Sequence, residues 1–438
     1  MVGCVTPTGP HRRTATVVGG GPAGLMAAEV LADAGLHVTV HEHMASPGRK
    51  LLLAGRSGLN ITHGEPLSSM LPRFGAAADR LGPAVESFGP GALRAWCSAL
   101  GQPTFVGSSG RVFPEAFRAT PLLRAWLARL LTKGVDIRVR STWLGWGAPQ
   151  PEPTTTTTTT TLRFRHADGT VHEVSSDVAV LALGGASWPR VGSDGGWAST
   201  VAATGVRVTP LRPANCAALV RWTDHFAERF AGTALKNVSL ATTGPHDQRQ
   251  VVRGDVTITR TGLESGPVYA CIPALRDELD RLGRGELVID LCPDSSATRL
   301  AERLRGRRPK ESASTWLRRA AGLSPAAIGV LRESPPGRNL PTEGAAMAAL
   351  LKAVPVAVHA TASLGRAIST AGGVALDEVD DSFMLRRLPG TFVAGEMLDW
   401  EAPTGGYLLQ GTFSTAVAAA RGAIAWSTAG DTTDRRCE

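Results

Sequence analysis

Residues 19–24 read Gly-Gly-Gly-Pro-Ala-Gly, and their flanks restrict what they can be. Residues 14–19 (TATVVG) have the composition of a buried strand, and 22–34 carry apolar residues at Leu25, Ala28, Leu31 and Ala32, a helical spacing. A G-x-G-x-x-G turn between strand and helix has a physical use for each glycine. Gly19 permits the tight turn, Gly21 lets a pyrophosphate approach the backbone, and Gly24 lets the helix pack on the strand. The helix opening at Pro22 and Ala23 then offers free N–H groups and a positive dipole end to the phosphates. Gly35 stops the helix, and 36–42 (LHVTVHE) predicts a second strand ending in Glu42, 18 positions after Gly24. That is close to the spacing of a ribose-binding carboxylate. An ordinary glycine turn with a surface glutamate has the same letters. With strand, helix and acid all in place, the dinucleotide reading is the stronger one. Glu42 would repel a 2′-phosphate, so the expected occupant is FAD or NAD rather than NADP. The βαβ unit predicts a parallel α/β sheet with a right-handed crossover.

With 438 residues the chain is long enough for two or three domains and for a large core without disulfides or structural metals. Apolar residues at 43% and charged residues at 19% exclude a largely disordered chain. Glycine is in surplus, 50 residues with no G-X-Y period, which excludes collagen. The net charge of +8 suggests nucleic acid, but only residues 303–310 (RLRGRRPK) are densely basic. A solvated helix end before Pro309 is the more economical reading, so a nucleic-acid partner is not expected. The six cysteines include no C-x-x-C pair, which excludes zinc ribbons, iron–sulfur runs and a local redox dithiol; no metal is expected. Such cysteine usage suits a reducing cytoplasm. The opening MVGCVTPTGPHRR lacks an apolar signal core, and no run of 18 apolar residues predicts a membrane span.

Further along, residues 121–133 predict a helix and 135–146 a single strand. Eight threonines at 154–161, preceded by Pro151 and Pro153, read as a low-complexity loop. Residues 162–164 and 171–174 predict a hairpin turning at Asp168-Gly169. A strand at 177–185 ends in Gly184-Gly185 and another at 391–395 in Gly395, followed by Glu396. Residues 210–294 read as β-rich, 296–353 as helical, 356 onward as short strands, and 406–425 as a final helix. The chain thus begins and ends with strand–glycine–helix signals. That outline predicts one discontinuous FAD-binding domain (12–209 and 356–428) carrying an insertion at 210–355.

The extra glycine-ended strands favour FAD over NAD, because an extended flavin needs backbone contacts along its ribityl chain and ring. No second G-x-G-x-x-G follows another strand, so a paired nicotinamide domain is not expected. The motifs Gly48-Arg49-Lys50-Leu51-Leu52, Gly58-Leu59-Asn60-Ile61-Thr62-His63, Asn215-Cys216, Gly262-Leu263-Glu264-Ser265-Gly266-Pro267, Thr370-Ala371-Gly372-Gly373-Val374, Ala394-Gly395-Glu396-Met397-Leu398-Asp399 and Thr404-Gly405-Gly406-Tyr407 follow in order. This ordered set resembles the YhiN/BaiN-like, or aminoacetone-oxidase-like, bacterial FAD-dependent flavoproteins over residues 14–425. One departure stands at 55–60, Gly-Arg-Ser-Gly-Leu-Asn, which lacks the cysteine many members carry there, so no thiol role is carried over. The resemblance implies FAD on the N-terminal fingerprint and an insertion with a β-barrel-like and a helical part.

Flavin chemistry needs hydride transfer at N5 and stabilisation of negative charge at N1–C2=O. The helix following Gly405, Gly406 and Tyr407 is expected to aim N–H groups at that charge, with Arg49 or Lys50 contributing and Leu51 alongside. A solvated-loop role for Arg49 and Lys50 weighs about equally. Glu396 is expected beside the ribityl chain, and helix capping is the stronger reading for Asp399. No general base is evident: His41, His43 and His63 read as structural or exposed, and Trp188, Tyr407 and Phe413 as pocket-lining or core. The function this predicts is an FAD-dependent oxidoreductase acting on a small molecule in the cytoplasm, with NAD(P)H a candidate transient reductant. The alternative is a flavin-dependent RNA-modifying enzyme using the arginine-rich insertion. A plain NAD dehydrogenase is the third reading.

Overall fold

The computed structural model describes residues 12–55, 58–147, 159–243, 249–334 and 339–434. Arg56, Ser57 and the threonine tract as far as 158 lie outside them. The chain divides into two compact units, Met1–Arg212 with Thr370–Glu438, and Pro213–Ser369.

The first unit is built on a five-stranded parallel sheet. Numbering strands in chain order, its spatial order is β20 (Thr391–Val393), β10 (Val178–Leu181), β1 (Thr14–Val18), β2 (His37–Glu42) and β6 (Asp136–Val139). The central strands are apolar on both faces, as a sheet covered on both sides requires: Val178, Ala179, Val180 and Leu181 are all fully buried. Helix α1 (Pro22–Asp33) follows β1 and buries Leu25, Ala28 and Leu31. A three-stranded sheet, β3 (Thr62–His63), β5 (Arg111–Pro114) and β4 (Thr104–Val106), is antiparallel throughout, as is a second one, β7 (Thr142–Trp146), β8 (Thr160–Arg165) and β9 (Val171–Ser176). The run 135–146 is therefore two strands. Arg140 takes a left-handed φ of 55° and Ser141 donates its amide to Glu42 O, which breaks the ladder and splits the run between two sheets. The hairpin turn at Asp168-Gly169 is present, with Asp168 Oδ1 accepting from Thr170 N at 2.9 Å. The C-terminal helix Tyr407–Asp434 closes the unit.

Strands β11 (Val208–Ala214) and β19 (Ser369–Val374) pair where the chain leaves the first unit and returns to it. The second unit holds a seven-stranded antiparallel sheet in the order β17 (Val354–Val358), β16 (Gly285–Asp290), β13 (Ala234–Thr243), β14 (Arg249–Thr259), β15 (Gly262–Glu264), β12 (Ala218–Leu219) and β18 (Ala360–Thr361). Its two outer strands are one stretch of chain interrupted only at His359, so the sheet curls round on itself like a barrel. Residues 356–369, expected in the flavin domain, thus belong to this unit. The 210–294 stretch is also not purely β. Helix Gly266–Leu282 lies within it, burying Val268, Cys271, Ile272 and Leu275 at helical spacing after Pro267. Four shorter helices follow: Ala297–Leu304, Ala313–Ala321, Pro325–Glu333 and Gly344–Lys352. Ser296, Ser312 and Ser324 cap the first three by accepting a backbone N–H. No helix among the described residues is long and apolar enough to cross a membrane.

Candidate functional site

The turn after β1 is shaped by contacts that leave no room for side chains at two of its glycines. Gly19 has φ +105°, and a Cβ there would lie 2.3 Å from Ala182 O; a Cβ on Gly24 would lie 1.8 Å from Gly19 O. At Gly21 a Cβ would meet nothing within 4 Å. Gly21 caps α1 without a side-chain hydrogen bond, Pro22 opens the helix, and its first turn carries no acid. The positive dipole end of α1 therefore has open space beside Gly21, which suits an anionic diphosphate. The loop behind is held by Glu42, whose Oε2 accepts from Gly20 N at 2.8 Å and Oε1 from Met44 N at 2.7 Å. The buried carboxylate fixes the loop and keeps lone pairs for a further donor.

A second group collects residues far apart in sequence. Lys50, from helix α2 (Arg49–Ala54), donates to Glu396 Oε2 at 2.6 Å and to Ser187 Oγ at 2.7 Å. Glu396 Oε2 also accepts from Gly185 N at 3.2 Å, and its Oε1 from Thr370 N at 2.9 Å. Thr370 Oγ1 accepts from Ala186 N at 2.8 Å and Ser187 N at 3.2 Å. The loop after β10, the start of β19 and the loop after β20 are thereby tied by one ion pair. Gly185 has no room for a side chain, since a Cβ would lie 2.3 Å from Thr370 Oγ1. Gly184 has φ +72°, and its carbonyl accepts from Trp197 Nε1 at 2.8 Å. Gly395, with φ +72°, packs against Ala23: a Cβ would lie 2.8 Å from Ala23 Cβ. That contact sets Glu396 beside the turn of the first group.

Arg49 keeps a buried Nε without a partner, and Leu51 is a fully buried core residue. Sequence reasoning did not single out Ser187 or the Thr370 hydroxyl as partners of this group, although Thr370 opens one of the ordered motifs. The adjacent Gly184-Gly185 pair was the signal available.

The third group surrounds the start of the C-terminal helix. Gly405 and Gly406 have φ +125° and +107°, and a Cβ on Gly406 would lie 2.3 Å from Thr62 C and O. Their flexibility lets the helix start press onto β3. Tyr407 stacks on His63 with ring centroids 5.3 Å apart. Burial, then its hydrogen bond to the Glu65 carboxylate, holds the Tyr407 phenol far above the ordinary tyrosine range, so it stays protonated. His63 Nδ1 accepts from Glu65 N at 3.2 Å, and Nε2 faces Ser109 O at 3.1 Å. His63 is thus a positioning ring with both nitrogens engaged. His41 is a buried core histidine stacked on Phe164 at 3.8 Å, Phe413 is fully buried, and Trp188 is partly exposed with φ 64°.

The chain is similar to several known proteins. It is 24% identical over 430 residues to the 3-dehydro-bile acid delta(4,6)-reductase of Clostridium scindens, covering 93% of this chain and 98% of that one. It is 26% identical over 432 residues to the ribosomal RNA dihydrouridine synthase of Escherichia coli, covering 95% and 99%. Among solved structures, the 3-ketosteroid delta1-dehydrogenase of Sterolibacterium denitrificans shares its fold, with a TM-score of 0.50 at 14% identity over 94% of this chain and 100% of that one. The family model described as HI0933-like protein Rossmann domain matches residues 13–422, with the glycine turn, the Lys50–Glu396 group and the start of the C-terminal helix inside the match. The chain belongs to this HI0933-like family of FAD-dependent oxidoreductases.

Proposed function

We propose that this chain is an FAD-dependent reductase that saturates an electron-poor carbon–carbon double bond in a small conjugated carbonyl compound, taking electrons from NAD(P)H, in a bacterial cytoplasm. The observation that carries the FAD assignment is the uncapped, unobstructed N-terminus of α1 at Gly21, joined through Gly395 to the Lys50–Glu396 group. In this reading Gly19, Gly21, Pro22, Ala23 and Gly24 hold the pyrophosphate and Glu42 a ribose hydroxyl. Lys50, Gly184, Gly185, Gly395 and Glu396 line the ribityl side, with Arg49 and Leu51 supporting that loop. Gly405, Gly406 and Tyr407 set the C-terminal helix start against the ring. The residues fit the group, which when bound supplies hydride transfer. The double-bond chemistry is supported by the names of the two relatives, since a delta(4,6)-reductase and a dihydrouridine synthase both saturate a bond conjugated to a carbonyl. The domain reading is a flavin domain from the first unit and an inserted second unit.

The test is an absorbance spectrum of the purified protein, then anaerobic titration with NADH and NADPH, then addition of 2-cyclohexen-1-one. A flavin spectrum, bleaching by a nicotinamide and recovery on adding the enone are expected. A colourless protein, or a reduced flavin that the enone leaves reduced, overturns the proposal.

One relative's name favours a second reading, RNA as substrate. The dense basic run gives it little support, because it offers few charges: of its five basic residues, Arg307 already lies 5.1 Å over the Trp316 ring and donates to Glu311 O. Binding through that run would neutralise few phosphates. With about three, affinity for a ribosomal RNA fragment would fall about 20- to 40-fold between 50 and 200 mM salt, whatever its sequence. Salt-resistant, sequence-dependent binding would instead establish the RNA reading.

A further inference from the structure

The β3–β5–β4 sheet has one face whose composition is unusual. His63 pairs with Arg111, and Phe113, two residues along β5, pairs with Phe105, so His63, Arg111, Phe113 and Phe105 share a face. Thr62 and Val112, one residue off in register, are fully buried on the opposite face. Phe117 extends the first face, its ring 4.9 Å from Phe113 and 6.4 Å from Phe105. Phe105 is 41% exposed and Phe117 45% exposed, so two phenyl rings are left in water. Phe117 also takes φ 57°, a left-handed conformation that is costly for a bulky residue and still leaves it 45% exposed. At the other end the face turns polar. Arg111 Nε lies 3.6 Å from where a Gly405 Cβ would be, beside Tyr407, which stacks on His63.

We propose that this face is a binding platform for a flat, polycyclic ketone, its rings on Phe105, Phe113 and Phe117 and its carbonyl oxygen accepting from Arg111. The ketone class rests on the reductase reading above; the platform itself rests on the face. From strand spacing and rise, His63 to Phe105 spans about 12 Å diagonally, the length of three or four fused six-membered rings. A face about 12 Å across falls well short of the about 800 Å² that a protein partner needs on each side. The Glu65 carboxylate at the polar end disfavours the phosphates of a nucleic acid.

The experiment measures binding to the oxidised, FAD-loaded full chain with no reductant present, by calorimetry, using progesterone as a four-ring enone and 2-cyclohexen-1-one as a one-ring control. The double variant Phe105→Ala/Phe117→Ala should weaken progesterone about tenfold and leave cyclohexenone within twofold. Phe117→Leu, which keeps an apolar side chain, should fall between. Both phenyl rings are exposed, and an unchanged melting temperature checks the fold. Progesterone that does not bind, or that binds the double variant as tightly as the wild type, overturns the platform. So does a single-stranded oligouridylate that binds the wild type and is lost in the double variant, which would make the face a nucleobase stack. A ketone bound through the phenyl rings but never reduced leaves the platform standing and overturns the reductase reading. Enone reduction with binding that ignores the phenyl rings does the reverse.

Discussion

A methyl group added at Gly21 would meet nothing within 4 Å, whereas one at Gly24 would lie 1.8 Å from the Gly19 carbonyl oxygen. Two glycines of one motif thus differ: packing leaves no room for a side chain at Gly24, while the space beside Gly21 is open. Gly21→Val should yield a folded protein that has lost its flavin, read as absorbance near 450 nm against 280 nm with an unchanged far-ultraviolet spectrum. Full flavin retention would displace the pyrophosphate from this turn. Gly24→Val should fail to fold stably with or without added FAD. The same reasoning applies to Glu396, which accepts from Lys50, Gly185 and Thr370. Glu396→Gln removes the charge that answers Lys50 and leaves it facing an amide. The expected loss is about 1–3 kcal/mol of stability, measured by urea unfolding, with weaker FAD retention. Lys50, Gly185 and Glu396 were legible because lysine, glycine pair and acid each sat in a motif. Ser187 was not, since nothing local marks one serine hydroxyl as the partner of a lysine 137 positions away.

Two joints between elements carry further consequences. Gly406 sits so close to Thr62 that Gly406→Ala would force β3 and the C-terminal helix apart, on top of an unfavourable φ of +107°. A loss of about 2–4 kcal/mol is expected, and an unchanged unfolding midpoint would refute the contact. The second joint is His41 on β2, whose Nδ1 hydrogen-bonds Ser141 Oγ at 2.8 Å and whose ring stacks on Phe164 of β8. Burial, then the nearby Arg138, lowers its pKa from 6.5 to about 3. A histidine held neutral this way adds stability that is fully present above pH 6.5 and is lost as pH falls from there towards 3. At pH 5 the loss is about 2 kcal/mol relative to pH 8. Urea midpoints at pH 8 and pH 5 should therefore diverge more for the wild type than for His41→Phe; parallel shifts would show that His41 titrates normally. The β8–β9 hairpin was readable from its Asp-Gly turn, which acts locally. The split of 135–146 was not, because Arg140 has no glycine-like signature and its backbone is set by the neighbouring sheets.

At the scale of the whole molecule, the glycine surplus is explained only in part. Gly19, Gly24, Gly185 and Gly406 sit where backbone meets backbone or a side chain, while others, such as Gly35 and Gly283, occupy left-handed positions with nothing near a Cβ. The discontinuous plan was readable because both ends of the chain carry strand–glycine signals. The return point was not, since β17 and β18 look like any short strands and only their partners, β16 and β12, assign them to the second unit. Each unit has its own core: one buries Leu25, Val180 and Phe413, the other Trp316, Leu331 and Ile289. The chain leaves and re-enters the first unit on β11 and β19, which pair, so the cut ends at Arg212 and Thr370 are close in space. Every residue of the glycine turn and of the Lys50–Glu396 group, Thr370 included, lies on the first-unit side of that cut. Replacing 213–369 by a short glycine–serine linker should therefore give a chain that folds and retains FAD, visible as a flavin spectrum and a melting temperature that rises with added FAD. The excised 213–369 should unfold cooperatively without flavin. A shortened chain that folds but stays colourless would show that the second unit supplies part of the cofactor site. Two fragments that both fail to unfold cooperatively would show that neither core is sufficient alone.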